Sequence, residues 1–110
     1  MQRYCFTLDL KEDQQLNAEY ERIHREIPAE IAASIRQAGI TNMELYRFGQ
    51  RLFMIMETND RYSPAEKAKA DAANPKVQEW ETLMWKFQQA LPWAKPGEKW
   101  IMMDKIFGLT

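Results

Sequence analysis

A chain of 110 residues with 15 Lys and Arg against 16 Asp and Glu carries a formal net charge of -1, too balanced for a nucleic-acid stripe and without an acidic tail. Its length suits one domain, residues 1–110, and four Trp, five Phe and four Tyr supply apolar area for a core. A single cysteine, Cys5, excludes an internal disulfide framework and a cysteine-rich zinc site, and no apolar run reaches membrane-spanning length. The opening MQRYCFTLDL lacks the apolar region of a secretory leader. A reducing, cytoplasmic setting is therefore expected, with Cys5 as a structural thiol.

Residues Arg3–Leu10 alternate, with Tyr4, Phe6, Leu8 and Leu10 on one face and Arg3, Cys5, Thr7 and Asp9 on the other. That period of two predicts a half-buried strand. From Lys11 the period lengthens: Leu16, Tyr20, Ile23 and Ile27 recur at helical spacing until Pro28 interrupts or bends the run. Helix resumes over 29–37, with Gly39 as its stop. Ile40–Phe48 and Arg51–Thr58 read as two strands of a hairpin turned at Gly49-Gln50.

The polar, Ala-rich stretch Asn59–Ala73 is either a short helix or a loop. Asn74-Pro75 then starts a helix, an N-cap followed by proline at the first helical position. Its stripe of Val77, Trp80, Leu83, Met84, Phe87 and Leu91 predicts helix as far as Pro92, and Lys99–Phe107 reads as a last strand. The order β-α-β-β-α-β predicts an α+β, ferredoxin-like sandwich with helices on one face of an antiparallel sheet. Large apolar groups, Met43, Leu45, Leu52, Met54, Met56, Met102 and Phe53 among them, are assigned to both sheet faces. That predicts a homodimer stacked sheet on sheet, although methionines at this density also serve as adaptable core filler.

Chemistry has few places to sit. His24 is the one histidine, so any imidazole acid or base is this residue, and it falls at the edge of the helical stripe. Tyr20, four positions earlier, stands one turn away on the same face. Spacing alone does not separate a catalytic pair from a satisfied structural histidine. Ligand-dense metal patterns, phosphate-binding glycine loops and nucleophile elbows are absent, so neither metal nor cofactor is expected. Trp80 belongs to the helical stripe, Trp85 points away from its centre, and Trp93 and Trp100 flank the connection into the last strand. Aromatic faces of this kind either pack a core or stack on the apolar face of a sugar.

The chain resembles the L-rhamnose mutarotase family over essentially its full length. The resemblance rests on the opening strand, Glu19-Tyr20 followed by His24, Ile27 and Glu30, and Gly39 ahead of Asn42 and Tyr46. It continues through Leu52-Phe53 leading to Glu57, Trp80 with Met84, the proline closing that helix, and the terminal strand. It implies a small dimeric α+β barrel that interconverts sugar anomers without a cofactor, His24 being the proton donor and Tyr20 a sugar contact. Further contacts are implied at Met43 and at Trp80-Glu81. Rhamnose mutarotases carry tyrosine where Met43 stands and a second tryptophan where Glu81 stands. A third difference is the longer helix expected to end in residues 88–93.

With the acid position kept and the contact positions changed, the resemblance points to the family's L-fucose branch, ahead of L-rhamnose. A carboxylate at Glu81 could accept from a hydroxyl whose orientation differs between the two sugars. Ring opening also needs a base; Glu57, Glu81 or a water are the candidates. Two other readings fit the same architecture: a cofactor-free monooxygenase-like enzyme, and a non-catalytic small-molecule binding module.

Overall fold

The computed structural model describes all 110 residues. Strand β1 (Gln2–Leu10) leads into helices α1 (Gln14–His24) and α2 (Ala29–Gln37), followed by strands β2 (Ile40–Phe48) and β3 (Arg51–Thr58). Helices α3 (Pro64–Ala73) and α4 (Pro75–Trp85) come next, and two-residue strands β4 (Gln88–Gln89) and β5 (Ile101–Met102) close the chain. The antiparallel sheet runs β2-β3-β1-β4, with β5 also paired to β1. This is the ferredoxin-like α+β arrangement.

Local chemistry sets most boundaries. Asp13 caps α1, its carboxylate accepting from the amides of Gln15 and Leu16. The chain then leaves the helix before Pro28, which supplies the N-cap position of α2. Gly39 has φ +96°, and a Cβ there would stand 2.6 Å from Asn59 Oδ1, so only glycine fits between α2 and β2. Gly49, at φ +60°, turns the β2–β3 hairpin. Ser63 caps α3, resolving the polar stretch as helix from Pro64 onward. Asn74 both ends α3 and caps α4, its side chain accepting from the amides of Lys76 and Val77.

Two expectations need correction. The helix expected to reach Pro92 stops at Trp85, and Gln88–Gln89 instead pair with Leu10 and Asp9 at the end of β1. The amide of Lys11 also donates to the carbonyl of Phe87 at 2.8 Å, so the bend after α4 is tied to the sheet from two sides. The residues 88–93 therefore do not form a longer helix. The expected last strand, Lys99–Phe107, pairs only at Ile101 and Met102, opposite Thr7 and Phe6.

Register separates the two faces of the sheet. Tyr4, Met56 and Met43 lie abreast, as do Phe6, Met54 and Leu45, and then Leu8 and Leu52. These rows look toward the helices. Leu10 and Leu52 join Tyr20, Met84 and Phe87 in the core cluster, with Leu16, Ile23, Leu45, Trp80 and Trp100 packed against it. The opposite face carries Cys5, Thr7, Phe53 and Ile55, half-buried, with Tyr46 and Phe48 exposed. Met43, Leu45, Leu52, Met54 and Met56 therefore all belong to the helix side. Of the strand residues assigned to both faces, Phe53 alone lies on the far side. No helix is long and apolar enough to cross a membrane.

Candidate active site in the cavity between helices and sheet

A cavity of about 950 Å³ lies between the sheet and the helices. Its wall includes five of the six residues singled out from the sequence: Tyr20, His24, Met43, Trp80 and Glu81. Strand β3 and its neighbours supply the apolar floor through Phe6, Leu45, Leu52, Met54 and Met56. The sixth candidate is elsewhere. Glu57 sits on the far face of the sheet, where Arg3 Nη2 donates to it at 2.9 Å and Asn42 Nδ2 at 3.1 Å. Those hydrogen bonds hold its carboxyl below the usual range, and the fold does not bring it to the cavity.

Tyr20 and His24 meet as the helical spacing requires, ring centroids 4.2 Å apart. His24 is the last residue of α1, and its Nδ1 lies 2.8 Å from the Tyr20 carbonyl oxygen. A carbonyl only accepts, so Nδ1 must carry the proton. Neutral His24 therefore keeps its lone pair on Nε2, which has no hydrogen-bond partner within the chain. Burial lowers the imidazole pKa below its ordinary 6.5, an effect larger than the opposing pull of the Tyr20 carbonyl. The resting ring is neutral at pH 7. The edge of the pair is closed by Trp80, which meets His24 at 5.5 Å and 62°.

Tyr20 is 2% exposed and also packs edge-on against Phe87 at 5.9 Å. Its hydroxyl accepts from Gln88 Nε2 at 3.0 Å, leaving its own O–H free to donate. Burial, outweighing the Gln88 hydrogen bond, pushes the phenol up to about 12, with the charge of Glu81 adding to the rise. Tyr20 is thus a permanent neutral donor across the accessible pH range. Met43, on edge strand β2, is 37% exposed and stands at the cavity rim.

Sequence reasoning missed two polar residues of the wall. Gln88 was hidden because its stretch read as helix; in the structure it is 3% exposed and its Oε1 is buried without a partner. Lys99 lies in the connection before β5, where nothing in the spacing points inward. Its Nζ donates to Glu81 Oε2 at 2.7 Å and hangs 4.9 Å over the Trp85 ring.

Residues 3–109 match the model of a family described as L-rhamnose mutarotase. A protein described as L-fucose mutarotase from Xanthomonas campestris pv. campestris is 51% identical over 112 residues, covering 100% of this chain and 90% of that protein. Among solved structures, an L-rhamnose mutarotase from Formosa agariphila superposes with a TM-score of 0.72 at 18% identity, covering all of both chains. Tetracenomycin F2 cyclase from Streptomyces glaucescens reaches 0.61 at 15% identity, covering 100% of this chain and 98% of the cyclase. At such identities the two structures speak for the fold alone, and the cyclase illustrates that this fold also carries other chemistry.

Proposed function

The chain belongs to the L-rhamnose mutarotase family and is a sugar mutarotase, an isomerase; from that premise we propose that it interconverts the α and β anomers of L-fucose first and L-rhamnose second. The preference rests on the 51% identity to an L-fucose mutarotase across the whole chain. One observation carries the chemistry: His24, held in a single neutral tautomer on the cavity wall beside the phenol of Tyr20.

In this reading Nε2 of His24 removes the proton from the anomeric hydroxyl while the bond between C1 and the ring oxygen breaks. The product is the open-chain aldehyde, and the ring oxygen takes up the proton that the imidazolium now holds. Both oxygens were bonded to the same carbon, so one imidazole can serve both without a second base. Rotation about C1–C2 presents the other aldehyde face, and the same steps run backwards to close the ring. The family resemblance makes His24 a proton donor; burial makes acceptance of the proton its first act and donation its second. Tyr20 donates to a sugar oxygen with its hydroxyl oriented by Gln88, while Trp80 and the rim at Met43 bound the sugar's apolar side. General acid–base assistance is worth about 10²–10⁴-fold. Mutarotation already proceeds in water, so a gain of that order makes a useful enzyme.

The enzyme acts as one domain, residues 1–110, in the cytoplasm, a setting supported by the lone, unpaired Cys5. A second copy covers the far face of the sheet, where Phe53 and Ile55 are half-buried and Tyr46 and Phe48 exposed. Sedimentation should give a dimer, and Phe53→Asp should shift it toward monomer. Anomer exchange followed by saturation-transfer NMR on L-fucose, L-rhamnose, D-ribose and D-galactose tests the activity. Exchange fastest on L-fucose supports the reading; a wild-type chain that accelerates none of the four ends it.

A further inference from the structure

We infer that Lys99, together with Glu81, forms a hydroxyl-reading clamp on the cavity wall and makes Lys99 a specificity-determining residue for the sugar. The inference deepens the mutarotase reading and rests on it. Lys99 lines the same cavity as His24 and Trp80, and its side chain is only 12% exposed. A lysine side chain this covered needs acceptors for its ammonium, and the chain provides one, Glu81 Oε2. Its remaining N–H bonds have no partner in the protein, and the Trp85 face 4.9 Å away adds only charge attraction. Glu81, with its side chain 46% exposed, leaves Oε1 without a donor in the protein and open to an incoming hydroxyl. The pair thus offers a strong donor and a strong acceptor side by side. A sugar hydroxyl, which both donates and accepts, is the group that satisfies them together.

Position separates this pair from the proton-transfer pair. Glu81 follows Trp80 on α4, and Lys99 precedes Trp100, which packs against the core cluster. Both charged groups are therefore anchored by neighbouring aromatics, as a selective contact requires. His24 and Tyr20 approach from α1 instead. Trp80, the residue before Glu81, meets the His24 ring at 5.5 Å, and both pairs line one cavity, which puts them within reach of a single small sugar. With His24 on the anomeric carbon, the clamp meets a hydroxyl away from it. L-fucose and L-rhamnose differ in the configuration of two such hydroxyls, at C2 and C4, so a fixed donor–acceptor pair discriminates between them.

The test compares kcat/KM for L-fucose and L-rhamnose, by saturation-transfer NMR, in the wild type, Lys99→Met and Glu81→Gln. Loss of a hydrogen bond to a charged group corresponds to about 10–100-fold. The expected result is a fall of that size in the fucose-to-rhamnose ratio in Lys99→Met, carried mainly by KM, and a smaller fall in Glu81→Gln. Glu81→Gln keeps volume and one acceptor oxygen, so it reads the clamp even if Lys99→Met fails to fold. A ratio within twofold of wild type in a folded variant of either kind overturns the clamp while leaving the mutarotase reading intact. A wild type that exchanges neither sugar removes that reading and the clamp with it.

Discussion

The same three strands, β1 to β3, present two different surfaces. Toward the helices they carry Phe6, Leu8, Leu52, Met54 and Met56, closed over by Tyr20, Met84 and Phe87. Away from the helices they carry ion pairs, Arg3–Glu57 and Arg51–Asp9, between half-buried Phe53 and Ile55. A side-chain period of two makes this possible: neighbouring residues of one strand serve separate purposes with no adjustment of the backbone. Met56 and Glu57 show the division in its smallest form. One is 3% exposed on the cavity floor, and the other is bonded to Arg3 and Asn42 behind it. The lesson is that a carboxylate's place in the sequence motif says little about which chamber it serves.

Substitutions can break that division or sharpen it. His24→Gln should cost the most, lowering exchange about 10²–10⁴-fold while the melting temperature moves little. Near-wild-type exchange would remove His24 from the mechanism. Phe87→Ala, at the centre of the helix-side core, should cost about 3–5 kcal/mol in a denaturant titration.

Acidification gives a graded test. Burial disfavours charged His24, so its folded pKa lies below the ordinary 6.5 and the neutral base predominates from that pH upward. The rate should therefore be flat near neutrality and fall on acidification, by about tenfold per pH unit well below the folded pKa. A rate that rises on acidification would reverse the order of proton steps. The linkage has the same sign for stability: well above 6.5 the unfolded and folded rings are both neutral, and as the pH falls through 6.5 the unfolded state takes up the proton first, so stability is lost on acidification. Gly39→Ala should destabilise by more than about 1 kcal/mol, since its positive φ and the nearby Asn59 oxygen both oppose a Cβ. The smallest effect is expected at Glu57→Gln on the far face. Exchange there should stay within about twofold of wild type, whereas a loss like that of His24→Gln would return Glu57 to the reaction.

Much of this was legible in the sequence because it is local. The alternation of Arg3–Leu10, the Gly49-Gln50 turn, the Asn74-Pro75 start and the i, i+4 spacing of Tyr20 and His24 each depend on a handful of adjacent residues. The end of α4 was not legible for the opposite reason. Lys86, Gln88 and Gln89 are good helix formers, and Phe87 and Leu91 continue the helical stripe, so nothing local signals a stop. Pairing with Asp9 and Leu10, almost eighty residues away, decides the matter. Gln88 and Lys99 share that origin: both reach the cavity through long-range pairing or packing, and neither has a sequence signature. The last strand was overread because Ile106 and Phe107 are apolar types that a strand commonly buries. They are 95% and 76% exposed in the isolated chain.

Which part of Tyr20 does what is open to genetic dissection because of an accident of helical geometry. The oxygen that fixes the tautomer of His24 is a main-chain atom, and no codon change at position 20 deletes it. Tyr20→Phe therefore strips the phenol from the sugar and leaves the imidazole poised as before. The five-residue segment from Tyr20 to His24 behaves as a preassembled cartridge, in which one residue's side chain and its backbone hold separate offices.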